Sequence, residues 1–270
     1  MPMAARVLDG RAVAAAIRAS WPRRSKRLAA AGRRPTLAAV LVRDDEASPH
    51  LRRLKQRAAE RSGHQGRGGS SSVPRRPGGR AGRGGRDSAP TTGSTASWSS
   101  CRCPTGLDPV EVQDAIDPAR TSAACTPENE GRLLRGDPRF APCTAIGIVE
   151  LLRREKVPVE GSHAVIVGRG LRRRAAPGRA PVSPSAGANA TVTLCHTGTR
   201  RLSEFTRQAD VLVAAADLPG AVTPGHGQAG RGRGRRGQPH RVGGRIVGDV
   251  APEVAQVAGA LTPSPAGSAP

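Results

Sequence analysis

Residues 163–170 read His-Ala-Val-Ile-Val-Gly-Arg-Gly. Four consecutive apolar residues, three of them β-branched, closed by glycine, read as a short strand with both faces in a core. A strand that ends in this way can turn backbone N–H groups toward a dinucleotide phosphate. The full Gly-x-Gly-x-x-Gly spacing is absent, however, and a strand closed by a glycine turn is more often a structural device than a binding one. Upstream, PCTAIGIVELLRR (Pro142 to Arg154) starts a helix with Ile148, Leu151 and Leu152 on one side. Downstream, TVTLCH (Thr191 to His196), VLVAAA (Val211 to Ala216) and RIVGDV (Arg245 to Val250) read as three further strands.

Toward the amino terminus the same alternation holds. Arg11 to Ala31 is Ala-rich and helical, with Pro22 expected to break or kink it and Gly32 as its stop. Thr36 to Val42 reads as a buried strand, Leu51 to Arg61 as a helix carrying Lys55, and Asp108 to Ile116 as a short helix. Strands alternating with helices predict an α/β chain with a parallel sheet.

The composition is less ordinary than this pattern. Among 270 residues, 43 Lys and Arg face 21 Asp and Glu, a formal net charge of +22. Only 37% of the chain is apolar, and 1% aromatic residues with no Tyr remove the side chains that bury most area. No acidic residue occurs from Gly170 to Ser203, or between Asp217 and Asp249. Segments 63–103, 170–188 and 225–245 are dominated by Arg, Gly, Pro, Ala and Ser, and are expected to be disordered or poorly packed. No apolar run approaches the roughly 18 residues of a membrane span. Arg6, Asp9, Arg11 and Arg18 interrupt the first twenty residues, unlike an export signal. With an odd number of cysteines, these features predict a cytoplasmic protein with reduced thiols and no membrane partner.

Single motifs decide little. Lys55 is an ordinary solvated helix lysine unless a dry site depresses its pKa and makes it a general base. Cys101 to Cys103 (CRC) lacks the two-residue gap of zinc hooks, and Cys125, Cys143 and Cys195 are scattered, so no metal is expected. Gly79 to Arg86 and Arg231 to Arg236 resemble Arg/Gly segments that bind nucleic acid electrostatically, but no aromatic residue is interleaved to stack on a base. A basic nucleic-acid-binding protein is therefore the alternative, and nucleic acid is not the expected partner.

Together the blocks say more. VLDGRAVAAAIR, LAAVLVRDDEAS, LKQRAAE, PTGLD, AIDPA, PENEGRLL, PCTAIGIVELL, VIVGRG, NATVTLCHTGTR, ADVLVAAADLPG, IVGDVAPEV and LTPSP follow one another in this order. In this order they resemble the bifunctional methylenetetrahydrofolate dehydrogenase/cyclohydrolase family, in its high-GC actinobacterial form. The resemblance implies an N-terminal folate-binding α/β domain at 1–140 and a Rossmann-type NADP-binding domain with a parallel sheet at 141–262. Residues 263–270 would be a truncated C-terminal return segment. It implies NADP-dependent oxidation of 5,10-methylenetetrahydrofolate and hydrolysis of the methenyl product to 10-formyltetrahydrofolate. This is one-carbon chemistry serving purine and amino-acid biosynthesis, run by a homodimer on tetrahydrofolate derivatives.

The resemblance also assigns positions. Lys55 matches the family's catalytic lysine. Leu51, Ser100 and Thr121 stand where it has a substrate-stacking tyrosine, a glutamine and a pterin-holding aspartate. Gly168 and Arg169 match its Gly-Arg-Ser cofactor turn, with Gly170 in the serine's place. His196 and Thr197 match the run after the next strand, and Pro239 stands at an isoleucine near the nicotinamide. Damage relative to the family falls at 49–52, 63–103, 120–126, 170–188 and 225–245. Codon degeneracy offers one cause. Thr95 to Pro104 can be encoded by DNA that reads GILVQLPLP, the family's folate-site signature, in a neighbouring frame. Leu171 to Gly178, Ser264 to Pro270 and Pro49 to Arg52 can likewise be shifted to SVGGRPLA, PGGVGP and HTYV. Several compensated frameshifts, arising from sequencing error or gene decay, are the expected origin of the basic blocks. A chain with this sequence is expected to be unstable and nearly inactive, and an inactive decayed paralogue is the second alternative.

Overall fold

The computed structural model describes residues 5–32, 36–40, 57–61, 65–67, 94–98, 117–119, 121, 126–168, 189–216, 218–226, 232–235, 240–242 and 245–263. In chain order the elements are β1 (Arg6–Val7), α1 (Gly10–Ala30), β2 (Thr36–Val40), β3 (Gln65–Arg67), β4 (Ser94–Trp98), α2 (Pro127–Leu134) and α3 (Cys143–Arg154). There follow β5 (His163–Val167), β6 (Thr191–Cys195), α4 (Leu202–Arg207), β7 (Val211–Ala214), β8 (Gly232–Arg235), β9 (His240–Val242), β10 (Arg245–Val247) and β11 (Ala260–Leu261). Two compact units result, Ala15–Pro142 and Met1–Ala14 with Cys143–Pro270.

The second of these units is built on a six-stranded sheet of order β1-β11-β8-β7-β5-β6, whose paired strands are all parallel. Side-chain alternation along β5 sends Ala164 and Ile166 into one apolar cluster and Val165 and Val167 into another. β7 does the same, with Val211 and Val213 on the first side and Leu212 and Ala214 on the second. α3 covers the first side through Ala145, Val149 and Leu152, spaced at helical intervals. Ile148 and Leu151 flank that buried stripe, partly covered. Val222, Val250, Val254 and Ala258 close the other side. The expected α/β architecture with a parallel sheet is therefore present.

Two expectations change. RIVGDV does not join the large sheet: β10 pairs antiparallel with β9, and beyond it Val250 makes a parallel bridge with Val222. The place beside β7 is taken instead by β8, Gly-Arg-Gly-Arg, inside a stretch read as disordered or poorly packed. A ladder is a backbone interaction, so a segment without apolar side chains can still form its rungs. β3, β4, β9 and β10 also fall in or at the end of the stretches so read. Apart from Gly225 and His226, the remainder of 63–103 and 225–245, and all of 170–188, lie outside the described residues, as does the helix expected at 108–116.

In the other unit β2 lies between β3 and β4, parallel to both. α1 runs without interruption through Pro22, although proline can donate no backbone bond there. It stops at Gly32, which has φ +72° and donates its N–H to the Ala29 carbonyl at 3.0 Å. Residues 57–61 are helical, in agreement with the end of the helix expected at 51–61. α2 was not anticipated as a helix. Thr126 caps it by accepting the Asn129 N–H, Pro127 begins it, and Glu128 and Glu130 face the positive end of its dipole. No described helix is long and apolar enough to cross a membrane.

On α3, Arg153 and Arg154 reach back to Glu150 at 2.9 and 2.6 Å. The hydrogen bond from Arg153, then that from Arg154, holds the Glu150 carboxyl at about 2 against an ordinary 4.5, with partial burial opposing. Because the folded value is depressed, this stabilisation is complete above pH 4.5 and is lost as pH falls toward 2. Urea unfolding from pH 6 to pH 2 checks this: Glu150→Gln is expected to show a shallower acid loss of stability than the parent, and parallel curves would refute it.

Candidate functional site

In the sheet of the second unit, β5 is followed by β6 on one side, and the chain then returns past β5 to β7 on the other. At such a reversal the connections leave in opposite directions and open a crevice at the carboxyl ends of the strands, the usual dinucleotide position in open α/β sheets. Gly168, His196 and Ala215 stand at those ends.

Gly168 donates its N–H to the Cys195 carbonyl at 2.8 Å, joining the turn after β5 to the end of β6. Its φ is +126°, a region that L side chains rarely adopt. A Cβ built on it would lie 2.0 Å from the Ala215 carbonyl oxygen. Glycine is thus required here by the approach of the backbone after β7, whatever else the turn binds. The Ala215 N–H in turn donates to the Val167 carbonyl at 2.7 Å.

His196 is fixed by its own turn. Its N–H donates to Thr199 Oγ1 at 2.8 Å, and the Thr199 N–H donates to the His196 carbonyl at 2.8 Å. The Gly198 N–H donates to His196 Nδ1 at 3.0 Å. With Nδ1 accepting, a neutral ring carries its proton on Nε2 and offers a donor there. Gly198 is closely fitted as well, since a Cβ would meet the ring at 3.1 Å. Thr197 and Arg200 are exposed beside this turn. Cys195 is buried, and burial pushes its thiol pKa up against an opposing hydrogen bond with Thr199, so it stays a protonated, inert thiol.

Behind the crevice stands Asp249, fully buried. Its Oδ2 accepts the Ala216 N–H at 2.7 Å. The sequence signal for this residue was only the VGDV motif, which carries no hint that the acid would reach a backbone amide 33 positions away.

Gly168 and His196, the positions expected on the cofactor side, are therefore brought to neighbouring strand ends, with Thr197 next to His196. Arg169, Gly170 and Pro239 lie outside the described residues. Thr121, in the other unit, is fully buried. Near it in sequence, Asn129 Nδ2 donates to the Pro118 carbonyl at 2.8 Å, and the Ala119 N–H donates to Asp117 Oδ1 at 2.9 Å. The first bond ties the 117–119 turn to α2, and the second closes the turn itself. Leu51, Lys55 and Ser100 lie outside the described residues. Among the described residues, no group of three or more His, Cys, Asp or Glu is arranged to hold a metal ion.

Comparison with known proteins adds identity to this geometry. The family profile described as tetrahydrofolate dehydrogenase/cyclohydrolase, NAD(P)-binding domain, matches residues 142–270. A bifunctional protein FolD from Rhodopirellula baltica is 37% identical over 286 residues, covering 99% of this chain and 93% of the relative. The structure of a bifunctional FolD methylenetetrahydrofolate dehydrogenase/cyclohydrolase from Campylobacter jejuni superposes with a TM-score of 0.86 at 26% identity, over 97% of this chain and 92% of that one. A Trypanosoma brucei FolD, solved with NADP cofactor and inhibitor, gives a TM-score of 0.83 at 28% identity, over 98% and 92%.

The packing at Gly168 generates a direct test. Gly168→Ala is expected to cost on the order of 3 kcal/mol, because strain at positive φ and displacement of the Ala215 carbonyl add. Urea unfolding followed by circular dichroism measures it, and an unchanged midpoint would refute the close approach of the two turns.

Proposed function

The chain belongs to the bifunctional methylenetetrahydrofolate dehydrogenase/cyclohydrolase family, and from that premise we propose its reaction. It is the NADP-dependent oxidation of 5,10-methylenetetrahydrofolate to the 5,10-methenyl form, followed by hydrolysis to 10-formyltetrahydrofolate. The observation that carries this reading is the crevice at the reversal between β5 and β7, with Gly168 and His196 at its strand ends. Its donors suit the phosphorylated dinucleotide. No acidic residue occurs from Gly170 to Ser203, so no carboxylate stands directly after β6 to hold a free ribose 2′-hydroxyl, and Glu204 beyond it is paired with Arg201, whereas His196 Nε2–H, Thr197 and Arg200 can face a 2′-phosphate. NADP, when bound, supplies the hydride acceptor, and the protein supplies orientation and a positioned base.

We assign the folate half to 1–140, the NADP half to 141–262 and the return segment to 263–270. The nearest physical boundary falls between Pro142 and Cys143. Lys55 is the proposed base of the cyclohydrolase step. Arg169, Gly170 and Pro239 are proposed to complete the cofactor side. Leu51, Ser100 and Thr121 occupy the tyrosine, glutamine and aspartate positions, and the types present cannot do that work. Leucine has no phenol, serine is too short to reach a lysine that glutamine would reach, and threonine carries no charge for the pterin's donor edge. Compensated frameshifts account for these losses together, so the printed chain has the architecture with most of its folate chemistry vacant.

We also propose a homodimer. β6 is an outer strand of its sheet, and beside it Leu194 and Phe205 are 42% and 37% exposed. An open strand edge flanked by apolar side chains suits pairing with a second copy.

Two experiments decide these readings. The printed chain and a frame-corrected chain reading GILVQLPLP at 95–104, with the tyrosine and cofactor turn restored, are assayed for NADPH formation and methenyl hydrolysis. The corrected chain is expected to perform both steps and the printed chain neither. A silent corrected chain overturns the function, and an active printed chain overturns the vacancies. In sedimentation, Leu194→Lys is expected to convert a dimer to a monomer, and an unchanged dimer would exclude this edge.

A further inference from the structure

We propose that Asp249 is a positioning residue: its buried side chain clamps the turn after β7 against Gly168 and so fixes one wall of the crevice at the strand-order reversal. The inference rests on the NADP reading for its consequence, but the clamp itself stands on geometry.

After Ala214 the chain leaves the sheet. Ala215 makes a last rung to Val167, and its carbonyl oxygen occupies the space where a side chain at Gly168 would be. Among the described residues, the ladder between β5 and β7 ends at Val167 and Ala214. Three contacts with 248–251 take over. The Gly220 N–H donates to the Gly248 carbonyl at 3.1 Å, the Val222 N–H to the Asp249 carbonyl at 2.9 Å, and the Ala251 N–H to the Val222 carbonyl at 2.8 Å. These backbone bonds hold the far end of the loop. At its near end the Ala216 N–H donates to Asp249 Oδ2 at 2.7 Å. One residue thus grips the loop twice, by its main chain at Val222 and by its side chain at Ala216.

The grip has a direct consequence for a ligand. An amide at the mouth of the crevice would ordinarily be a free donor toward a bound dinucleotide, but Asp249 takes the Ala216 N–H out of that role. Its contribution is to the place of the backbone, and the same backbone presses on Gly168. An acceptor of the right length at 249 is what the position requires. Asparagine retains one, while alanine and serine fall short of Ala216.

The full chain is used, with NADPH as probe. NADPH affinity is read by fluorescence titration and the Ala216 amide by hydrogen exchange. Asp249→Ala is expected to weaken NADPH binding at least about tenfold and to speed exchange at Ala216 by a similar factor. Asp249→Asn is expected to stay within about threefold of the parent on both. If the alanine variant does not fold, Asp249→Ser is measured with the same expectation as alanine. Parental affinity in the alanine or serine variant, or parental exchange at Ala216, overturns the proposal. If the parent binds no NADPH, the NADP reading of the crevice fails instead, and exchange at Ala216 still decides the clamp: faster exchange in the alanine or serine variant upholds it, and unchanged exchange overturns it.

Discussion

β5 carries apolar side chains on both faces, and the second unit is organised around that demand. Ala164 and Ile166 need a layer on one side, and Val165 and Val167 need another. A central parallel strand satisfies both requirements only when helices or loops cover each face. α3 answers on one side, and Val222, Val250, Val254 and Ala258 answer on the other. Because β5 must have a neighbour on each edge as well, the chain goes first to β6 and then back to β7. The reversal of strand order, and with it the crevice, follows from completing the burial of a single strand.

The chemistry at the crevice is arranged by backbone more than by side chains. The Gly168 N–H is spent on the Cys195 carbonyl, the Gly198 N–H on the His196 ring, and the Ala216 N–H on Asp249. Each of these bonds removes a donor that a phosphate could have used and exchanges it for a fixed position. Among the described residues at these strand ends, His196 Nε2, the exposed Thr197 and the exposed Arg200 stand near one another in sequence, a polar set suited to an anion.

The parts of the fold that could be read in the sequence are those with a strong apolar signal. β5, β6, β7 and α3 fall where HAVIVG, TVTLCH, VLVAAA and PCTAIGIVELLRR place them. β8 was invisible because Gly-Arg-Gly-Arg has no periodicity to detect, and a backbone ladder needs none. RIVGDV carried the apolar signal of a sheet strand, yet its first half pairs with β9 and its second half, Gly248 to Val250, lies beside the loop that leaves β7. In the site, Gly168 and His196 were legible as strand-end residues. The reason for glycine at 168 was not, because it depends on a carbonyl that the sequence places 47 positions later. Asp249 was missed on the same ground: a buried acid whose partner is a distant main-chain amide leaves no local pattern.

One strand pair of the large sheet joins residues near the two ends of the chain. β1 pairs with β11 through Arg6 and Ala260 and through Val7 and Leu261, and among the described residues no other strand borders β1. The pair is short, Val7 is 63% exposed, and closing it requires the ends of almost the entire chain to meet. Leu8, fully buried beside this rung, is the plug that secures it. The seam is therefore the last part of the sheet to zip and the first to fray, and residues 5–8 can peel away while β5, β6 and β7 stay paired. A protease or a chaperone that samples the molecule would meet its amino terminus at that seam before it met the core.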